Sequence, residues 1–223
     1  MVDVASHTSA YRPLGTLVYQ DIRGAIVGGR FLPGERLVVS QLAKDLGVSR
    51  APVSVALKRL QSEGFVEGDP HKVAAVAPLS VERIREVYAM RAALEAVACR
   101  EAAERVDAAE MRALRELAAD LHGTTESDEW HPLDGLFHRR LREASRMPFL
   151  VVTLNNLYDQ CEYIRTLDRG THELDRQRSI EEHSAILAAL ETRDGERVAR
   201  LIAAHVERSG ATFSKSVSQE VVR

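Results

Sequence analysis

Asp134 and His138 stand four residues apart within a helical pattern, so both side chains project from one face of one helix. His183 lies in the run Glu182-His183-Ser184-Ala185-Ile186-Leu187, and His205 in Ala204-His205-Val206. The apolar neighbours Ile186, Leu187, Ile202 and Val206 put both imidazoles near the core side of two later helices. One carboxylate and three imidazoles from three helices can close around a divalent ion and leave positions for water or ligand. Taken singly, each histidine is also an ordinary hydrogen-bonded core or surface residue. Only the four together make a site.

Residues 39–64 carry a second candidate chemistry. Leu42, Ala43 and Leu46 repeat at helical spacing, and Gly47 and Val48 then break the pattern. Ser49 is placed to cap a second helix, in which Val53, Ala56, Leu57 and Leu60 recur on one buried face. Pro52 falls in its first turn, where a missing N–H costs nothing. Gly47 permits a tight left-handed turn between the two. Two short helices so joined form a helix-turn-helix, whose second helix lies in the DNA major groove. Its other face carries Ser49, Arg50, Ser54 and Lys58, with Arg59 beside them. Arg50, at the helix start, suits a bidentate guanine or phosphate contact. A plain helical hairpin with a solvated basic face satisfies the same periodicity.

The elements that must position these residues follow in chain order. Residues 1–10 are small and polar and read as a disordered arm. Leu14, Leu17, Val18, Ile22, Ala25 and Ile26 make a first helix that stops at Gly28-Gly29. Phe31 to Leu37 reads as a turn built on Pro33-Gly34. Phe65-Val66-Glu67 and Val73-Ala74-Ala75-Val76 read as short strands around a turn at Gly68-Asp69-Pro70. Ala77-Pro78-Leu79-Ser80 is the linker, with Ser80 as the next helix cap. From Val81 the pattern is helical, with helices expected near 81–105, 108–122, 129–146, 148–168, 174–192 and 194–215. Their short connections favour an antiparallel bundle. The expected fold is mainly α: a DNA-binding domain over residues 11–78 and an all-α bundle over 79–223.

A chain of 223 residues suffices for two domains with real cores. The net charge of −3 is unevenly spread. Residues 1–78 sum to +2 and residues 79–223 to −5, so only the first part offers an attractive surface to nucleic acid. No apolar run approaches the ~20 residues of a membrane span, and the N-terminus lacks the basic start and apolar stretch of a signal peptide. Cys99 and Cys161 are isolated within helical patterns and read as buried, inert thiols. The expected location is cytoplasmic.

Between Pro33 and Glu67 the chain resembles the GntR family of bacterial transcription regulators. The resemblance rests on Pro33-Gly34-Glu35-Arg36-Leu37, Leu46-Gly47-Val48-Ser49-Arg50, Pro52-Val53, Ala56-Leu57-Lys58-Arg59-Leu60 and Glu63-Gly64-Phe65-Val66-Glu67. It implies a winged helix-turn-helix with a wing near residues 66–77, and DNA contacts from Ser49, Arg50, Ser54, Lys58, His71 and Lys72. Ser54 stands where the family usually has a second DNA-contacting arginine, Ala51 where threonine is usual, and Val73 at the usual wing-tip glycine.

Residues 80–215 resemble the FCD ligand domain of the FadR branch of that family. The matching residues are Arg91-Ala92-Ala93-Leu94-Glu95, the run from Asp134 through Phe137-His138 to Leu141, Glu182-His183, and His205. The six-helix count suits the branch's shorter, VanR-like variant. The resemblance implies one divalent metal ion per chain on Asp134, His138, His183 and His205, zinc first, with nickel or manganese as alternatives. It also implies a small carboxylate effector paired with Arg91. Met147 departs from the asparagine usual before Pro148, and His122, His131 and His172 match nothing and read as surface residues.

Together the two resemblances imply a ligand-responsive regulator, a repressor, that binds an inverted-repeat DNA operator as a homodimer. A helical-bundle metalloenzyme is the alternative. Di-iron bundles need paired Glu and Glu-x-x-His repeats, which are not visible. A mononuclear hydrolase needs a general base, for which Glu182 is the one candidate. A regulator whose metal is purely structural is the third reading.

Overall fold

The computed structural model describes residues 13–69, 73–124, 126–167 and 172–220. The expected N-terminal arm lies outside them, as do His71 and Lys72. The chain divides into two compact units, Met1–Pro78 and Leu79–Arg223.

In the first unit α1 (Leu14–Val27) packs on α3 (Arg50–Ser62), and α2 (Val39–Asp45) braces α3 from the side. Val18, Ile22 and Ile26 of α1 meet Val53, Leu57 and Leu60 of α3 in the core, all at or near full burial. Between α2 and α3 the chain turns on Gly47, at φ +66°, a conformation a side chain would strain. Gly47 N–H donates to Lys44 O and Val48 N–H to Ala43 O, so these two carbonyls in the last turn of α2 are satisfied. Ser49 occupies the cap position of α3 with extended backbone, but its hydroxyl makes no capping bond. The capping role expected of it is therefore positional only.

The stretch expected as a plain turn before α2 contains a strand. β1 (Arg36–Leu37) pairs with β3 (Val73–Val76), which pairs in turn with β2 (Val66–Asp69), all antiparallel. Two residues are too few to show alternation, which is why β1 leaves no mark in the sequence. Gly68 and Asp69 belong to the ladder rather than to the turn, opposite Ala74 and Val73. A Cβ on Gly68 would lie 2.2 Å from Val73 O, so glycine is required there.

The second unit is a bundle of six helices among the described residues: α4 (Val81–Arg105), α5 (Ala108–Gly123), α6 (Ser127–Glu143), α7 (Pro148–Leu167), α8 (His172–Glu191) and α9 (Gly195–Glu220). Ser80 Oγ accepts from Arg83 N at 3.1 Å and caps α4. Asp107 and Glu110 form a capping box at the start of α5. The two longest helices, α4 and α9, pack along each other as the bundle's central pair. Gly210 makes that approach possible, since a Cβ there would meet Tyr88 Cβ at 2.6 Å. Tyr88 stacks on Phe213 one turn further along, at 5.9 Å between ring centroids. Phe137 and Leu141 of α6, Leu114 of α5, Ile186 and Leu190 of α8 and Ile202 of α9 fill the main core. Cys99 and Cys161 are buried and unpaired, as expected. Among the described residues no helix is long and apolar enough to cross a membrane.

Candidate functional site

The apolar stripe of α6 places Phe137 and Leu141 in the core, and the adjoining face brings Asp134 and His138 to the bundle interior. Ile186 and Leu187 do the same for His183 on α8, and Ile202 and Val206 for His205 on α9. The structure thus brings the four residues together. Asp134, His138, His183 and His205 are only 7, 1, 1 and 5 % exposed. Asp134 Oδ1 lies 3.8 Å from His138 Nε2 and 3.6 Å from His183 Nε2. His205 Nε2 lies 3.2 Å from His138 Nε2. One ring nitrogen from each histidine falls within 4.8 Å of the others.

These residues fit a divalent cation on two observations. Ligand nitrogens held ~2.0–2.1 Å from zinc lie ~3.3 Å apart across a tetrahedral edge, and the facing Nε2 atoms have that spacing. Both ring nitrogens of His183 are buried with no hydrogen-bond partner among the described residues. Such an orphan is costly unless something else accepts its lone pair. Burial lowers the pKa of His138 and, with the help of His205, drives that of His183 far down. Both rings are therefore neutral, the form that ligates metal. Burial opposes ionisation of Asp134, but the Arg165 guanidinium, 3.5 Å from its Oδ2, outweighs it and holds its pKa low.

Behind His138 lies a buried ion cluster that sequence reasoning found only in part. Glu95 on α4 is fully buried, and its Oε1 accepts from Arg91 Nε at 2.9 Å and from Arg142 Nη1 at 3.3 Å. Its Oε2 faces His138 Nδ1 at 3.7 Å. Burial would raise the pKa of Glu95, yet the guanidinium groups of Arg91 and Arg142 hold it low. The guanidinium groups of Arg91 and Arg142 lie over the Tyr158 ring at 4.9 and 5.0 Å. Arg91 is thus already bonded to Glu95, and any incoming carboxylate shares it.

A cleft of about 600 Å³, open solvent included, reaches the cluster. Asp134, His138, His205 and Arg91 line it, so three of the four expected ligands and the expected effector partner face one space. Arg165 and Arg176 line it too and escaped sequence reasoning. Arg165 is paired with Glu162 and lies 3.5 Å from Asp134 Oδ2. His131, expected on the surface, is half-buried in the cleft wall.

In the first unit Ser49, Arg50 and Lys58 are exposed on α3, and Ser54 is half-buried between them. Residues 50, 54 and 58 follow at successive turns, so they form one stripe along the flank of the face that buries Val53 and Leu57. Arg59 does not join it. Its guanidinium lies over the Tyr19 ring at 3.7 Å, and its Nε donates to Glu63 Oε1 at 2.9 Å. Tyr19 donates to Glu63 Oε2 at 2.6 Å, and burial together with that bond pushes its pKa up to about 12.

Comparison with known proteins agrees with this division. Residues 14–76 match the bacterial regulatory proteins, gntR family, and residues 86–208 match the FCD domain. The Nta operon transcriptional regulator of Aminobacter aminovorans is 32% identical over 184 residues, covering 82% of this chain and 86% of the relative. An HTH-type transcriptional repressor of Escherichia coli, RspR, is 25% identical over 222 residues, covering 97% of this chain and 94% of the relative. The solved structure of Escherichia coli McbR/YncC superposes with a TM-score of 0.77 at 24% identity, covering 93% of this chain and all of that one, and so shares the fold. The comparisons indicate a transcription regulator and not an enzyme. With a GntR helix-turn-helix followed by an FCD domain that spans more than half its length, the chain belongs to the GntR family of bacterial regulatory proteins, in the FadR-type arrangement.

Proposed function

We propose that this regulator holds one divalent metal ion on Asp134, His138, His183 and His205 and senses a small carboxylate that changes its affinity for an operator. The observation that carries the reading is the buried His183, both of whose ring nitrogens lack hydrogen-bond partners among the described residues, beside two more imidazoles and a carboxylate. When bound, a divalent ion would supply a Lewis-acid position for a carboxylate oxygen. Arg91, sharing itself between Glu95 and the effector, gives the carboxylate one orientation through charge-assisted bonds. Because three of the four ligands line the cleft, a ligand can reach them, which favours sensing over a purely structural metal. Zinc suits three imidazoles best, with nickel or manganese open to the same donors.

The DNA half of the reading rests on the exposed stripe of α3. Arg50 reads a base edge or phosphate, Ser49 and Ser54 flank it, and Lys58 contacts phosphate. His71 and Lys72 add contacts from the wing. Two copies act together on an inverted repeat, because one winged domain makes too few base contacts for tight specific binding. The regulator works in the cytoplasm and acts as a repressor, as RspR is named. Only residues 77–80 separate β3 from α4, the helix that carries Arg91. Effector binding regulates only if it favours one state of the dimer over another.

The test is a thermal-shift screen of small organic acids with and without chelator, followed by operator binding with each hit. A stabilising acid should lose its effect in chelator and in Arg91→Ala, and should shift operator affinity. A hit indifferent to both chelator and Arg91→Ala would overturn the pocket. A hit that respects both yet leaves DNA affinity unchanged would overturn the coupling.

A further inference from the structure

Glu182 precedes His183 on α8, but the two side chains serve different places. His183 turns to the core, whereas Glu182 Oε2 lies 2.7 Å from Nδ1 of His205 on α9. Arg208, nearly one turn beyond His205, grips the same carboxylate: its Nε is 2.8 Å from Oε1 and 3.0 Å from Oε2, and its Nη2 is 2.5 Å from Oε2. Arg208 Nη2 also donates to Ser179 Oγ at 3.2 Å, and Arg178 Nε reaches Glu182 Oε1 at 3.1 Å. A carboxylate only accepts, so the hydrogen shared with His205 sits on Nδ1. The lone pair of that ring is then on Nε2, the atom 3.2 Å from His138 Nε2 inside the cluster.

We infer that Glu182, clamped by Arg208, is a positioning residue for the metal, holding His205 in the one tautomer and ring orientation that deliver Nε2 to the ion. The inference rests on the metal-binding reading above and deepens it. It also reassigns the residue that the sequence offered a hydrolase as general base: the carboxylate is taken up in orienting a ligand. The other two imidazoles lack this support. His138 Nδ1 faces Glu95 at 3.7 Å, too far for a hydrogen bond, and His183 has no hydrogen-bond partner among the described residues. His205 is therefore the ligand set in place before the ion arrives. A carboxylate behind a ligating imidazole also strengthens it as a donor, and losing such a partner costs about 10–100-fold in metal affinity.

The experiment is zinc competition against a chromophoric chelator on full-length wild type, Glu182→Gln and Glu182→Ala, with absorption spectra of the cobalt-loaded forms alongside. Glutamine keeps an acceptor oxygen without the charge, so affinity should fall from wild type through Gln to Ala, the last by about 10–100-fold. The cobalt bands should shift in the same order, because a reoriented imidazole alters the ligand field. If Glu182→Ala does not fold, Glu182→Gln carries the test alone. Weakened zinc binding with unchanged cobalt spectra would mean general loosening and would overturn the positioning role. Wild-type affinity in the variants would overturn it as well, with the metal site intact. A wild-type protein that takes up no zinc or cobalt overturns this inference and the metal reading together.

Discussion

The recognition stripe of α3 and the histidine cluster of the bundle solve opposite problems. Arg50 and Lys58 are exposed, and neither has a side-chain partner among the described residues. Around the cluster, polar side chains are tied to one another: Glu95 to Arg91 and Arg142, Glu182 to His205 and Arg208. DNA brings a dense row of phosphates, so long mobile cations can find their partners after arrival. A metal ion brings strict distances, and ligands that had to be ordered on arrival would lose affinity. The stripe is left open to a partner; the cluster is braced beforehand, at His205 and in the charges around it.

The largest effect that could break this comparison is at His183. His183→Ala should take metal content from one ion per chain to almost none, measured by elemental analysis of protein never exposed to chelator or affinity resin. Chelator should then lower the melting temperature of wild type and leave that of the variant where it was. An unchanged metal content would show that the cluster is an ordinary buried network.

Next in size is Arg50→Ala. It should cost about 1–3 kcal/mol of specific operator binding, while unfolding free energy stays within about 0.5 kcal/mol of wild type. Denaturant titration and operator binding on the same samples would separate the two. A stability loss above that range would mean the stripe is bonded after all.

Arg59→Ala sharpens the contrast within one helix. Removing its contacts with Tyr19 and Glu63 should lower stability by about 1 kcal/mol and leave the salt dependence of DNA binding unaltered. Its neighbour Lys58 should behave the other way. Lys58→Ala should reduce the salt slope of operator binding by about 1 and leave the melting curve in place. Smallest of all, Ser54→Arg should tighten operator binding by adding a cation to the stripe. Weaker binding would show that Ser54 belongs to a different readout.

Much of this arrangement was legible because helical spacing and chemistry point the same way. Asp134 and His138 share a face by their separation alone, and the residues beside His183 and His205 turn both imidazoles inward. The stripe of α3 follows from the same arithmetic. What stayed hidden depended on packing between segments. Arg91 and Glu95 sit four apart, a spacing usually seen on solvated surfaces, and nothing in it announces full burial. Lys58 and Arg59 are adjacent cations, separated in role only by where Tyr19 of α1 falls. The bond from Glu182 to His205 joins neighbouring helices, and helix register is not written in either one. β1 owes its existence to pairing with β3, a residue pair with no pattern of its own.

The unbonded state of Arg50 and Lys58 bears on how such a protein can change over generations. On the proposed reading, a substitution at Arg50 alters which operator is read and one at Lys58 how tightly, neither touching the fold that presents them, so new target genes can be sampled one mutation at a time. The ion cluster grants no such freedom, because each change at Glu95 or Glu182 strands a second charge. Lineages descended from this chain should therefore diversify first in what they regulate and last in the charges that brace the proposed metal site.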